Sequence, residues 1–167
     1  MQSTYRVFVG ALCLLVAFGL TLSSDTVVAK TKFEGNTVTL EAADRVIDAA
    51  IKKSGELGVL MNITVLDAGG NLKAFARMDG AFLGSIDVSA GKAKTSVLFN
   101  APSGVIGSMA QPGGDLYGIE RSNGGLITFG GGFPLHNAKG ELIGSIGVSG
   151  SSVANDELVS QAGVDAL

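Results

Sequence analysis

Two short runs with period-two patterning constrain this chain most. Met61-Asn62-Ile63-Thr64-Val65-Leu66 alternates, Leu72-Lys73-Ala74-Phe75-Ala76-Arg77-Met78 alternates again, and Ala68-Gly69-Gly70-Asn71 between them has the composition of a tight turn. Strands joined that closely run antiparallel, because a parallel pair needs a crossover of a dozen or more residues. A doubly wound parallel sheet is therefore excluded. On the amino-terminal side, Leu40, Ala43, Val46, Ile47, Ala50 and Ile51 recur at helical spacing, predicting an amphipathic helix that ends near Gly55 or Gly58. A second helix is expected over Ser85 to Phe99, with Ile86, Ala90, Ala93 and Val97 inward and Lys92 and Lys94 elsewhere on its surface.

Residues Ala101 to Gly125 hold no sustained period and read as one long irregular connection, a kind of segment that often carries function. Leu126-Ile127-Thr128-Phe129 then reads as a strand and Gly130-Gly131-Gly132 as a bend. Phe133-Pro134-Leu135 is a short edge strand, and Glu141 to Ser149 the last strand. Ser151 or Ser152 can cap a final helix with Asn155, Asp156 and Glu157 near its positive end. The expected fold class is α/β of the α+β kind: a mainly antiparallel sheet with helices packed on it.

The amino terminus has the layout of an export signal. Arg6 supplies positive charge, Val7 to Leu22 is an apolar run, and Val27-Val28-Ala29 offers small or apolar residues at a cleavage point after Ala29. Residues 1–29 are thus expected to be a signal peptide, 30–38 a flexible lead-in and 39–167 the domain, and the mature protein periplasmic or secreted. An uncleaved membrane anchor is the alternative. Cys13, the only cysteine, lies inside the apolar run, so the mature domain has no disulfide and no lipidation cysteine. Its net charge stays at −3 without a basic run, which argues against a nucleic-acid partner. Of 25 glycines only Gly10 and Gly19 fall in the leader, so tight turns and close backbone approaches are concentrated in the domain.

One histidine and no mature cysteine exclude any zinc site of three or four His/Cys ligands, and leave His136, in a turn with no carboxylate beside it in sequence, as the one neutral-pH base a nucleophilic triad could use. The glycine runs lack the strand-to-helix setting and the lysine of phosphate loops. What remains is a set of single residues. His136, Met78 and Tyr117 carry imidazole, thioether and phenol, the types that serve as axial ligands to haem iron. Arg77, Lys92 and Arg121 are cations that can meet propionates or another carboxylate. Each also has a plainer role, as a solvated turn residue, a core filler or a surface charge.

Taken together and in order, Leu40-Glu41-Ala42-Ala43, Val65-Leu66-Asp67-Ala68-Gly69-Gly70, Arg77-Met78-Asp79-Gly80-Ala81, Lys92-Ala93-Lys94-Thr95, Asp115-Leu116-Tyr117-Gly118, Asn123-Gly124-Gly125, Gly131-Gly132-Phe133-Pro134-Leu135 and Ile143-Gly144-Ser145-Ile146-Gly147-Val148-Ser149-Gly150 closely resemble the GlcG/HbpS family. This family takes in haem-binding proteins and the carboxyl-terminal domain of PduO-type corrinoid adenosyltransferases. The resemblance spans Thr39 to Leu167. It implies a profilin-like α/β/α sandwich, assembly into homo-oligomers from dimer to octamer, and haem or a related tetrapyrrole as ligand. Haem degradation, or redox or iron-stress sensing through a membrane sensor protein, is also implied. The chain departs from a histidine-ligated pattern in having no histidine in either early helix, which leaves His136 as the one imidazole. Two further readings stay open: an enzyme or accessory subunit for a small organic acid, using Lys92, Asp79 or Tyr117, and a ligand-free interaction module. Sharing a fold does not by itself choose among them.

Overall fold

The computed structural model describes residues 36–167. The expected signal peptide, its cleavage point and the first part of the lead-in lie outside them. Among the described residues no helix is long and apolar enough to cross a membrane.

Helix α1 spans Leu40–Leu57. Thr39 caps it, its hydroxyl accepting from the Ala42 N–H, and Gly58 closes it in the left-handed conformation with φ 66°. Strands β1 (Asn62–Asp67) and β2 (Leu72–Arg77) form the expected hairpin, pairing Thr64 with Phe75 and Asn62 with Arg77. The Asp67 carboxylate takes the Gly69 and Asn71 N–H groups at 2.9 Å and so shapes the turn. Helix α2 covers Ser85–Phe99, α3 covers Ser103–Met109, and a 3₁₀ turn follows at Ile119–Arg121. Strands β3 (Gly132–His136) and β4 (Leu142–Ser149) and helix α4 (Val153–Val164) complete the chain.

The four strands lie in the order β2-β1-β4-β3, every pair antiparallel. Alternation along β1 sorts the two faces. Met61, Ile63 and Val65 join Ala43, Val46, Ala50 and Val159 in the main core, under α1 and α4. Thr64 and Leu66 point the other way, to Ser89 and to Ala93 and Val97 of α2. The architecture is an α/β/α sandwich, as expected. Helix α2 approaches β4 so closely that a Cβ on Gly147 would sit 2.1 Å from the Ser89 carbonyl oxygen, which leaves room only for glycine. At the start of the described chain, Val38 is buried in the main core and its N–H donates to Ile143 O at 2.7 Å.

Three expectations need correction. Ala101 to Gly125 is not wholly irregular, since α3 and the 3₁₀ turn lie within it. Leu126 to Phe129 is not a strand: the Leu126 N–H donates to Glu120 O at 3.0 Å, and Ile127 and Phe129 pair with helix side chains. Ile127 N–H donates to Thr95 Oγ1 at 3.2 Å, and Ser103 Oγ donates to Phe129 O at 2.7 Å, so side chains of α2 and α3 take ladder positions that a neighbouring strand would otherwise fill. Lys92 does not lie on the outer surface of α2. It is buried on the inner face with Ser89, Ala93 and Ser96.

Candidate functional site

The inward lysine organises one end of the sandwich. Its Nζ donates to Asp156 Oδ2 at 2.7 Å and to Val148 O at 2.9 Å, and stands 4.7 Å from the centre of the Phe129 ring. Asp156, in the first turn of α4, uses its other oxygen to accept the Gly150 and Ser151 N–H groups at 3.2 Å. Burial pushes the Lys92 ammonium below the ordinary lysine range, while the hydrogen bond and charge of Asp156, then the charge of Glu157, act to raise it. Gly131, at φ 112°, passes directly over the pair: a Cβ there would lie 2.8 Å from Lys92 Nζ and 2.8 Å from Val148 O. Ser160 Oγ, donating to Gly131 O at 2.7 Å, fixes this crossing. With both partners buried and every strong polar contact internal, the pair ties α2, β4, the glycine bend and α4 together. It offers no open cation to a ligand.

The remaining candidates are spread over the surface. Arg77 is exposed at the end of β2, and Asp79 is exposed just beyond it. Met78 is half-buried, with its sulfur 3.4 Å from the Met61 N–H that donates to it. Tyr117 is 68% exposed in the connection after α3, and exposed Arg121 faces Glu120 at 4.0 Å. His136 is exposed at the end of β3, its Nε2 2.8 Å from Asn100 Oδ1 at the carboxyl end of α2. Lys92 is therefore sealed from any substrate that exposed Asp79 or Tyr117 would meet.

Nor can Met78 and His136 share one iron within a chain. They flank opposite edge strands, three strand spacings or about 14 Å apart, and opposite ends of the sheet. Arg77 lies level with Ser149, through Asn62, and His136 is level with Leu142; seven residues of strand between them add about 23 Å along the strand direction.

Of the surface depressions, the one beside His136 unites a possible iron ligand with an apolar wall. It has a volume of about 490 Å³ and is lined by His136, Asn137, Ala138, Ile143, Val164 and Leu167. A groove of about 500 Å³ over α4, with Phe133, Leu158 and Glu157, holds no histidine, methionine or tyrosine. A third depression, beside Gly80 and Ala81, measures about 200 Å³, below the roughly 300–1,000 Å³ usual for small-molecule and cofactor sites. The His136 pocket is built from β3, β4 and the end of α4. Sequence reasoning named His136 but missed its wall, because Val164 and Leu167 join it only through the tertiary fold. Among the described residues no cluster of three or more His, Cys, Asp or Glu could hold a metal ion.

A family model described as "Haem degrading protein HbpS-like" matches residues 38–165. The chain is 38% identical over 130 residues to a 15.0 kDa protein of the dhaT-dhaS intergenic region of Citrobacter freundii, covering 77% of this chain and 91% of that one. It is 36% identical over 120 residues to the corrinoid adenosyltransferase PduO of Citrobacter freundii, covering 71% of this chain and 36% of the relative. Among solved structures it is similar to a PduOC:haem complex, with TM-score 0.75 and 32% identity, covering 78% of this chain and 95% of that one.

Proposed function

This chain belongs to the HbpS-like family, and from that premise we propose that it binds haem in the pocket beside His136. The observation that carries the reading is the likeness to a solved haem complex along nearly the whole of that chain. The pocket's chemistry fits the group. Its volume lies within the usual cofactor range, Ile143, Val164 and Leu167 give an apolar wall, and His136 supplies an imidazole at the rim. His136 is the residue we assign to the iron, and Asn100, which now holds Nε2, orients the ring. Lys139, exposed in the adjoining turn, is the cation nearest in sequence for a propionate. When bound, haem would supply redox and oxygen chemistry; the chain's own part is to seat the macrocycle and limit its exposure to water.

Further elements belong to this proposal. The protein is exported after cleavage behind Ala29, acts in the periplasm or outside the cell as a homo-oligomer, and either degrades haem or reports on it to a membrane sensor protein. Light scattering on the mature protein reads the assembly, and loss of haem absorbance under a reductant reads degradation.

Titrating the apo-protein with hemin tests the central claim. The expected result is a shifted Soret band saturating near a single haem per chain, and weakened several-fold in His136→Ala. No spectral change with excess hemin would overturn haem binding. An unchanged titration in His136→Ala would instead overturn the site while leaving the ligand.

A further inference from the structure

Asn123-Gly124 is the one Asn-Gly pair in the chain, and it lies in the exposed turn after the 3₁₀ helix. Asn123 is held at φ 52° and is followed by glycines at φ 71° and φ 101°. The Asn123 carbonyl oxygen accepts a hydrogen bond from the Lys94 ammonium, which reaches across from α2. Gly124 itself packs against that ammonium: a Cβ built on it would stand 3.7 Å from Lys94 Nζ. Among the described residues no protein acceptor takes the Gly124 N–H, although the neighbouring Gly125 N–H donates to Ser122 O at 2.9 Å.

These contacts bear on the acidity of one amide. The carbonyl that Lys94 holds belongs to the peptide whose nitrogen is Gly124 N. If that nitrogen loses its proton, the negative charge is shared with the carbonyl oxygen, where a cation already waits. The nitrogen is open to solvent base and carries no side chain at its own Cα to crowd an approach to the Asn123 side chain.

We propose that Asn123 is a site of spontaneous covalent modification, in which Lys94 promotes closure of the Asn123-Gly124 peptide to a succinimide and its hydrolysis to aspartate and isoaspartate. Gly124 N gives its proton to solvent and bonds to Asn123 Cγ. The Cγ–Nδ2 bond breaks, and Nδ2 leaves as ammonia after taking up a proton. Water then adds to either imide carbonyl, opening the ring to a carboxylate. No electron is gained or lost. Ring closure requires rotation about the Asn123 Cα–C bond, which two successive glycines oppose least. The product is a new negative charge beside Lys94 and, in the isoaspartyl form, an extra methylene in the backbone leading to Leu126.

Timed incubation of the full mature protein at mildly alkaline pH, followed by peptide mass mapping, tests this. Trypsin releases Ser122–Lys139, which holds both Asn123 and Asn137, so fragment-ion masses within that peptide assign the amide-to-acid rise to Asn123. Isoaspartate should be the larger product. Asn71 and Asn137, also in turns but not followed by glycine, serve as internal references. Lys94→Met should slow the native rate at Asn123 several-fold and leave it unchanged in urea-unfolded chains, and Lys94→Arg should restore it. Far-ultraviolet circular dichroism verifies that both variants are folded. Conversion at Asn123 no faster than at the references would overturn the site, and a native rate indifferent to Lys94→Met would overturn the role of the lysine.

Discussion

Replacing Asp156 by asparagine puts the buried ion pair to the test. The substitution keeps the side chain's shape but removes the charge 2.7 Å from Lys92 Nζ. An asparagine oxygen can still accept from Gly150 and Ser151, but the amide NH₂ would then face the ammonium, so Lys92 keeps Val148 O as its one strong acceptor. Breaking a buried pair while leaving the other charge in place costs about 3–5 kcal/mol, whereas an exposed pair is worth about 0–1 kcal/mol. For a domain of this size about 3–5 °C of melting temperature corresponds to each kcal/mol, so the midpoint should fall by roughly 10–25 °C. Urea unfolding at fixed protein concentration, with thermal melts alongside, reads both quantities. The pH dependence carries the sign. Because the folded Lys92 pKa is lowered from 10.5, the unfolded chain binds more protons in the window between the two values, and this group's contribution makes the fold more stable as pH rises through it. Asp156 acts to raise the folded value, so its loss should extend that window to lower pH. Lys92→Met added to Asp156→Asn should recover part of the lost stability, since it removes the uncompensated charge. A cost near that of an exposed pair, or a double variant whose effects simply add, would refute a tightly coupled buried pair.

Three further perturbations examine neighbouring elements. Gly131→Ala combines a side chain at φ 112° with contacts under 3 Å to Lys92, Val148 and Asp156, and should cost about 2–5 kcal/mol in urea unfolding from strain and overpacking. Thr95→Val leaves the Ile127 N–H without its acceptor; a loss of about 1–3 kcal/mol is expected, with faster hydrogen exchange at Ile127. Ser152→Ala removes the cap that accepts from Asn155 N at 3.3 Å and should lower stability by about 1 kcal/mol in thermal melts.

The hairpin, α1, α2, β4 and the start of α4 were legible because their periods and end signals are local. Thr39, Gly58 and Ser152 act within a turn of the residues they satisfy, and Asp67 folds its own loop. The inner face of α2 was not legible by apolar periodicity, because polar side chains line much of it. Ser89 meets Thr64 at 2.8 Å, Lys92 meets Asp156, and Ser145 donates to the Ala93 carbonyl at 2.8 Å. An apolar period turns the helix toward Ile86 and Ala90 and puts Lys92 outside. The true orientation depends on acceptors supplied 56 and 64 residues later in the chain.

The same physics accounts for Leu126 to Phe129. Its composition favours a strand, yet any backbone partner of adequate geometry satisfies an N–H or carbonyl, and α2 and α3 deliver theirs through Thr95 and Ser103. At the candidate site the divide runs through a single pocket. Residue type alone singled out His136, but the apolar wall that makes its imidazole more than a solvated turn residue comes from Ile143, Val164 and Leu167. If haem sits in the proposed pocket, its placement depends on how α4 ends against β4, and truncating Leu167 should weaken hemin binding while sparing the Lys92–Asp156 pair at the helix's other end. Retention of full hemin affinity after that truncation, with His136→Ala still impaired, would show that the imidazole works without this wall.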